Sequence, residues 1–177
     1  MWIDVKIPYE PGNRLAEAYN RSMEDSSAEW VLLLDHDVFF CNPNWYGICI
    51  QAIEQVKDTK AGLLTCVTNG THRANNTPQK ADRIIKTDCL HQHIQVAKIL
   101  HEKYKYTVTQ ITWPKITGFF MLVKRSAWEE IKFKGQDLGY VDWHFSNRLL
   151  DAGFEIYLMK GLYMYHQRGM GALWKRL

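Results

Sequence analysis

Short apolar runs bounded by polar residues recur along the chain and predict buried strands. Residues 31–34 are uniformly apolar, which is typical of a central strand covered on both faces and is too short to span a membrane. Residues 61–67 and 118–123 have the same character. Residues 3–7 instead alternate apolar and charged side chains and end at Pro8, which predicts a short strand near a sheet edge.

Between these runs, apolar residues recur three and four positions apart, which predicts amphipathic helices. Helices are predicted over residues 14–23, 45–57, 87–104 and 141–150, with a short one over 127–131 that Ser126 caps. Two final extended segments are predicted over residues 156–159 and 162–165, with His166 at the tip of the second. The pattern as a whole indicates an α/β fold.

Two acids, Asp35 and Asp37, follow directly after the apolar run 31–34. In open α/β sheets, ligands bind outside the carboxyl ends of the strands, so acids at this point favour a ligand site. If this stretch is extended, side chains two residues apart point the same way, and both carboxylates can converge on a divalent cation such as Mg²⁺ or Mn²⁺. Acids after an apolar run are also common as turn formers and helix caps, so the motif alone leaves both interpretations open.

The size and composition of the chain are those of a single globular domain over residues 1–177, with 46% hydrophobic and 23% charged residues. The net charge of +3 gives little support to nucleic-acid binding as the main activity, although it permits anionic substrates. The four cysteines have no C-x-x-C spacing and are expected to be reduced and mostly buried. No signal peptide or membrane span is predicted, so we expect a cytoplasmic location.

Three histidines, His91, His93 and His101, lie in the predicted helix 87–104. They lack the i, i+4 spacing of a zinc-binding helix and have no adjacent acid, so they are expected to be packing or solvated residues. The polar stretch 68–78 has a length that is typical of functional or mobile loops.

Four motifs occur in a fixed order along residues 6–166. They are the strand ending in D-x-D at Asp35, the T-G-F-F-M-L-V-K-R strand from Thr117, the V-D-x-x-x-x-x-R-L helix from Val141 with a following A-G-F, and a closing strand with His166. Together they resemble the GT-A fold of glycosyltransferase family 2. The resemblance implies a single GT-A-like (Rossmann-like) domain, with a central mixed, mostly parallel sheet flanked by helices.

The resemblance also implies roles for individual residues. Asp35 and Asp37 match the D-x-D that holds Mn²⁺ or Mg²⁺ on the diphosphate of a nucleotide-sugar, and His166 matches a histidine that completes the metal shell. Asp142 matches the general base of an inverting transfer to an acceptor hydroxyl. Residues expected along the nucleotide are Pro8, Tyr9, Asn13, Asn20, Asp35, His36 and Arg168.

The chain departs from the family pattern in two places. Val141 replaces the first acid of the family's E-D pair, which leaves Asp142 alone as the base. The chain also runs from Pro8 directly to the helix that Asn13 begins, without the family's strand-helix unit that recognises the nucleotide base. The chain therefore resembles a compact, abridged member, and a UDP-sugar donor is favoured by the resemblance only.

Further expectations concern the acceptor, Arg148 and the tail. The acceptor is a glycan or another hydroxyl compound, and a nucleic-acid acceptor stays open. Arg148 is expected to be a structural ion-pair partner. Residues 167–177, with two glycines and Arg168, are expected to form a flexible lid that orders when the donor binds.

Other interpretations of the same residues stay open. Asp142 alone could equally be a first-turn acid that stabilises its helix by about 1 kcal/mol. The whole chain could be a catalytically silent module that binds sugars or nucleotides, or a metal-dependent nucleotidyltransferase or phosphohydrolase.

Overall fold

The structure is a computed structural model that describes residues 2–12, 14–70, 77–81, 87–135 and 140–167. In chain order its strands and helices are β1 (Ile3–Lys6), α1 (Leu15–Glu24), β2 (Trp30–Leu34), β3 (Val38–Phe40), α2 (Trp45–Val56), β4 (Ala61–Thr68), α3 (Leu90–Tyr104), β5 (Val108–Ile111), β6 (Phe120–Lys124), α4 (Arg125–Ile131), α5 (Val141–Asp151) and β7 (Glu155–His166).

The strands form one mixed sheet of seven, in the order β1-β2-β6-β4-β7-β3, with β5 paired to β7 outside that path. Strands β1 and β2 are parallel, as are β4 and β7, and the antiparallel strand β6 lies between these two pairs. Strands β3 and β5 each run antiparallel to β7. The predicted α/β class with a mixed sheet is confirmed, but the sheet is only partly parallel and not mostly parallel as predicted, since two of its six described strand pairings are parallel. Strand β1 lies at a sheet edge, as its alternating sequence predicted.

Helices cover both faces of the sheet, which is why β2 and β4 are completely buried; β2 is apolar throughout, and β4 is apolar apart from its two threonines. On one face, α2 packs with alternate strand residues such as Leu32, Leu64 and Leu122. On the other face, α1, α4 and α5 pack with Val31, Leu33 and their neighbours. Both faces of the central strands are therefore core, and polar chemistry is left to the strand ends.

Strand β7 differs from its prediction, because the two expected extended segments form one strand that ends at His166. Its pairing with β4 is interrupted by a bulge, where Cys66 faces Met159 and Val67 faces Tyr163. Gly161 lies in the bulge, where an added Cβ would stand 1.8 Å from the carbonyl oxygen of Lys105. The bulge lets one strand pair with β5 along its first part and with β3 at its end.

The predicted helices agree with the structure to within about one turn at their ends, whereas β3 and β5 were not predicted. The prediction that Ser126 caps α4 is wrong, because the helix begins one residue earlier, at Arg125, and has no side-chain cap. All four cysteines are free thiols, and Cys89 alone among them is exposed. Within the described ranges, no helix has the length and hydrophobicity needed to cross a bilayer.

Candidate active site

Asp35 and Asp37 lie where the chain leaves β2 at the carboxyl edge of the sheet. The prediction that they share an extended segment is wrong, because His36 and Asp37 form a turn that leads into β3. The backbone N–H of Asp35 donates to the carbonyl oxygen of Phe119, at 3.2 Å, which fixes the start of the turn against the residue that precedes β6. The turn still directs both carboxylates to one side, toward the end of β7.

His166, the last residue of β7, completes a cluster with these acids. Its Nε2 atom lies 3.0 Å from Asp37 Oδ1 and 3.6 Å from Asp35 Oδ2. One ligand atom from each of the three residues lies within 4.8 Å of the others. The strand pairing explains the meeting, since β3 follows Asp37 immediately and Val38 is in register with His166.

Electrostatics in this cluster favour a positive charge. Burial raises the pKa of Asp35, despite the opposing effect of His166, and the nearby charge of Asp37 adds to the rise. Burial also acts to raise the pKa of Asp37, but its hydrogen bond and charge interaction with His166 outweigh burial, so that its pKa is lowered. The two carboxylates therefore share the imidazole of His166 as the nearest group that can offset their negative charge.

The donor set of the cluster fits a divalent cation. Two carboxylate oxygens and one imidazole nitrogen are suitable ligands for Mn²⁺, and Mg²⁺ is also readily coordinated by carboxylate oxygens. His166 stacks on the buried ring of Phe119, with the ring centroids 5.8 Å apart, and Nε2 faces the acids. Its other nitrogen, Nδ1, is buried and has no hydrogen-bond partner in the described part of the chain. Asp35, Asp37 and His166 could thus hold a metal ion.

Asp142 lies in the first turn of α5, beside this cluster. Its Oδ2 atom accepts a hydrogen bond from the backbone N–H of Gly118 at 2.7 Å, and its Oδ1 atom accepts one from Trp143 at 2.9 Å. Burial raises the pKa of Asp142 to about 6, although the two N–H groups oppose the rise, and the charge of Asp35 adds to it. A carboxyl group with this pKa can take up and release a proton near neutral pH.

Two residues beside Asp142 were not predicted as part of the site. An added Cβ at Gly118 would lie 3.1 Å from Asp142 Cβ and 3.2 Å from the hydroxyl oxygen of Tyr19. Burial raises the pKa of that hydroxyl, and the charges of Asp35 and Asp142 raise it further. The Tyr19 hydroxyl therefore lies close enough to both acids for their charges to affect it. Its position in the apolar pattern of α1 marked it only as a core residue.

The segment that precedes β6 connects the two parts of the site. It supplies the Gly118 N–H to Asp142, the Phe119 carbonyl to Asp35 and the Phe119 ring to His166. The buried side chain of Gln79 holds this segment in place. Its Nε2 donates to the carbonyl oxygen of Thr117 at 3.0 Å, and its Oε1 accepts from the Thr117 N–H at 2.8 Å. No sequence motif indicated this role for Gln79.

Other predicted site residues lie in different surroundings. The Asn20 amide donates to the carbonyl oxygen of Phe133 and accepts from Phe133 N–H and the Trp128 indole, so it joins α1 to the end of α4. Tyr9 is exposed and Pro8 half-buried, both beyond the end of β1, and His36 is exposed in the turn between the two acids. Their proposed contacts with a nucleotide stay predictions, and Asn13 and Arg168 lie outside the described residues.

Arg148 and His93 have structural roles. The guanidinium of Arg148 donates to the carbonyl oxygens of Ile131 and Lys132, at 2.6 and 3.0 Å, and so caps the end of α4. Among the described residues it does not form the expected ion pair. His93 is fully buried, with Nδ1 2.8 Å from the Tyr163 hydroxyl and Nε2 2.9 Å from the Thr87 carbonyl oxygen. His93 is thus a packing residue, as predicted.

Comparison with known proteins gives a match in fold but none in sequence. No protein-family model and no curated protein matches the chain. Among solved structures, a mannosyltransferase from Pyrobaculum calidifontis, in complex with GDP-Man and Mn²⁺, matches with a TM-score of 0.53 and 19% sequence identity. The match covers 89% of this chain and 38% of the mannosyltransferase, so the chain spans well under half the length of that protein. The chain therefore shares a Rossmann-like α/β fold with that structure, and this fold class was predicted.

Proposed function

We propose that this protein transfers a sugar from a nucleotide-diphosphate sugar to an acceptor hydroxyl, with Mn²⁺ or Mg²⁺ held by Asp35, Asp37 and His166. The observation that carries the proposal is the cluster of these three side chains at the carboxyl end of β2, beside the half-buried Asp142. Membership of glycosyltransferase family 2 is part of the proposal, and it rests on the resemblance of the motifs.

The metal residues are assigned to the leaving diphosphate. A divalent cation bound there supplies Lewis-acid stabilisation of the negative charge that develops on the diphosphate. Asp35 and Asp37 would hold the cation at the end of the buried strand β2, and His166 would supply a third ligand atom. The neighbouring structure was solved with Mn²⁺ and a nucleotide-sugar, which supports this choice of ligands.

Asp142 is assigned the role of general base. The oxygen of the acceptor hydroxyl forms a bond to the anomeric carbon, its proton passes to the Asp142 carboxylate, and the bond from that carbon to the diphosphate oxygen breaks. The N–H groups of Gly118 and Trp143 orient the carboxylate for this transfer. A direct displacement of this kind inverts the configuration at the anomeric carbon.

The proposal names the donor only as a nucleotide-diphosphate sugar, without its base or its sugar. The neighbour binds GDP-Man, so GDP-mannose joins the UDP-sugars that the resemblance favours. Proposed nucleotide contacts are Pro8, Tyr9, Asn13, Asn20, His36 and Arg168, and residues 167–177 are proposed as a lid. A glycan hydroxyl is the proposed acceptor, and other hydroxyl acceptors, nucleic acid among them, belong in the same screen.

A two-stage experiment tests the function. Thermal-shift measurements with Mn²⁺ and a panel of nucleotide-sugars identify the donor, because a ligand that binds only the folded state raises the melting temperature. Release of nucleoside diphosphate is then measured with and without acceptor candidates. We expect a sugar-linked product with inverted configuration by NMR, and a retained configuration would refute the role of Asp142.

The products also separate the competing functions. A nucleotidyltransferase would release pyrophosphate, and a phosphohydrolase would release phosphate without transferring sugar. Donor binding without turnover for any acceptor would indicate a silent binding module. Release of nucleoside diphosphate that requires Asp37 supports the glycosyltransferase.

A further inference from the structure

The side chain of Asn69 continues the sheet beyond the point where its backbone pairing stops. Strand β4 pairs with β7 up to Thr68, which faces Met164. One residue further, Asn69 Oδ1 accepts a hydrogen bond from the His166 N–H at 2.9 Å, and Asn69 Nδ2 donates to the His166 carbonyl oxygen at 3.2 Å. The side-chain amide thus takes the place of a peptide group of a neighbouring strand.

On its other side, His166 faces strand β3, which does not bond to the N–H and C=O groups of His166. On that side, the Gln167 N–H donates to the carbonyl oxygen of Asp37 at 2.8 Å, while His166 is in register with Val38. This pattern makes His166 and Val38 a non-hydrogen-bonded antiparallel pair, so the N–H and C=O of His166 point away from β3. They point toward Asn69, which accepts from one and donates to the other.

The orientation of Asn69 follows from the same contacts. The amide oxygen has to face the His166 N–H, and the amide nitrogen has to face the carbonyl, so the two ends cannot be exchanged. The Thr68 hydroxyl donates a second hydrogen bond to Asn69 Oδ1, at 2.9 Å, which further restricts the orientation of the amide. This arrangement fixes the peptide groups on both sides of the His166 Cα atom, and with them the direction of the imidazole.

We infer that Asn69 is a positioning residue for metal binding, which orients His166 so that Nε2 meets the two carboxylates. This inference rests on the metal site of the proposed function. Groups that orient a metal ligand typically contribute roughly 10–100-fold to metal affinity. Asn69 touches none of the three ligand atoms, so its contribution acts through the backbone of His166 alone.

The test is the dissociation constant for Mn²⁺, measured by calorimetry on the full chain without any nucleotide. Asn69→Ala is expected to weaken Mn²⁺ binding roughly 10–100-fold. His166→Ala gives the reference for complete loss of the ligand. Asn42→Ala is the matched control, since Asn42 Oδ1 accepts a backbone hydrogen bond from Asn44 at 2.9 Å and has no contact with the three ligands among its described hydrogen bonds.

A spectroscopic measurement separates positioning from a general loss of structure. Pulsed EPR of bound Mn²⁺ detects coupling to the imidazole nitrogen, which we expect in the wild type and the Asn42 variant and expect to weaken in Asn69→Ala. Asn69→Ser, which keeps one hydrogen-bonding group, serves if the alanine variant does not fold, with the same expectation. Wild-type affinity and nitrogen coupling in the Asn69 variants would overturn the inference, as would Mn²⁺ binding that does not depend on His166.

The result is independent of sugar transfer. If Mn²⁺ binds as described and no nucleotide-sugar is ever turned over, the proposed function fails and the role of Asn69 stands. If transfer occurs and the Asn69 variants bind Mn²⁺ like the wild type, the function stands and the positioning role fails.

Discussion

The two parts of the candidate site are built in different ways. The metal cluster gathers one side chain from the end of β2, one from the following turn and one from the end of β7. Asp142, in contrast, is oriented by backbone N–H groups of Gly118 and of its own helix. The metal cluster thus depends on the pairing of distant strands, whereas the base depends on one backbone contact between α5 and the segment before β6, 24 positions apart in sequence, and on its own helix.

The pKa values of Asp37 and Asp142 are shifted in opposite directions. Asp37 is kept ionised by its contact with His166, and its pKa is lowered. Asp142 has no basic partner among its described contacts, and burial raises its pKa to about 6. An acid that stays charged suits a metal ligand, and an acid that titrates near neutrality suits proton transfer. Variants that affect one part and leave the other intact test whether this division is real.

The largest effect is expected for Asp37→Ala. It removes a carboxylate oxygen 3.0 Å from His166 Nε2, and with it one of three metal ligands. We expect turnover to fall about 10³-fold or more, since a catalytic metal ion contributes several kcal/mol to the stabilisation of the transition state. Release of nucleoside diphosphate in Mn²⁺ measures it. Asp58→Ala changes an exposed acid and is the control; equal losses in both variants would contradict the assignment.

A smaller loss, and a different signature, are expected for Asp142→Asn. Turnover should fall roughly 10²–10⁴-fold, the range for loss of a general base, while Mn²⁺ affinity stays within about threefold of the wild type. In the wild type, activity should decline on the acid side at or below pH about 6, because a bound cation can only lower the pKa of Asp142 from that value. A pH profile of kcat/KM checks this, and an unchanged profile in the variant would argue against the base.

Gly118→Ala should displace the base without changing its chemistry. The added Cβ would lie 3.1 Å from Asp142 Cβ, which is closer than ordinary van der Waals contact. We expect turnover to fall roughly 10–10²-fold, as for small misplacements of a reacting group, with Mn²⁺ affinity nearly unchanged. A parallel loss of metal affinity would show that the segment before β6 couples the two parts more tightly than their contacts indicate.

The smallest effect concerns stability in the absence of metal. Because burial raises the pKa of Asp142 from its ordinary value of 3.8 to about 6 in the folded state, the folded protein binds this proton more tightly than the unfolded chain does. The stability that this proton binding contributes is therefore complete below pH about 4 and is lost as the pH rises through about 6.

Asp142→Asn lacks this titration. The stability of the wild type relative to the variant should decrease by about 1 kcal/mol between pH 4 and 7, a figure reduced for the partial exposure of the carboxyl group. Melting curves of both proteins in EDTA at several pH values measure this difference in stability. The contributions of the other titrating groups are the same in both proteins and cancel in the difference. A difference that does not vary with pH would contradict the raised pKa.

The sequence was most informative about buried elements. Strand β2, helix α2 and helix α5 were predicted almost residue by residue, because their apolar spacing reflects burial directly. The short strands β3 and β5 were missed, since three or four half-exposed residues carry no comparable signal. The predicted proximity of Asp35, Asp37 and His166 is found in the structure, whereas their roles stay predictions.

The residues that sequence analysis missed share one property, which is that their importance comes from a distant partner. Asn69 contacts a residue 97 positions away, and Gln79 contacts Thr117, 38 positions away. Asn20 also has a distant partner: it matched a motif for a nucleotide contact, which stays a prediction, and its amide is bonded to Phe133, 113 positions away. The pattern of residues along one sequence reports on residues that are close in that sequence, so none of these distant contacts could be derived from it.

Strand β7 also has a consequence for how the protein forms during synthesis. It pairs with β3, β4 and β5, and its last residue is the proposed third metal ligand. The ribosome delivers this strand long after Asp35 and Asp37, so the nascent chain carries two unpaired acids until β7 docks. Contacts this distant in sequence form slowly. Occupancy of the metal site by Mn²⁺ would therefore report that the whole sheet has been assembled.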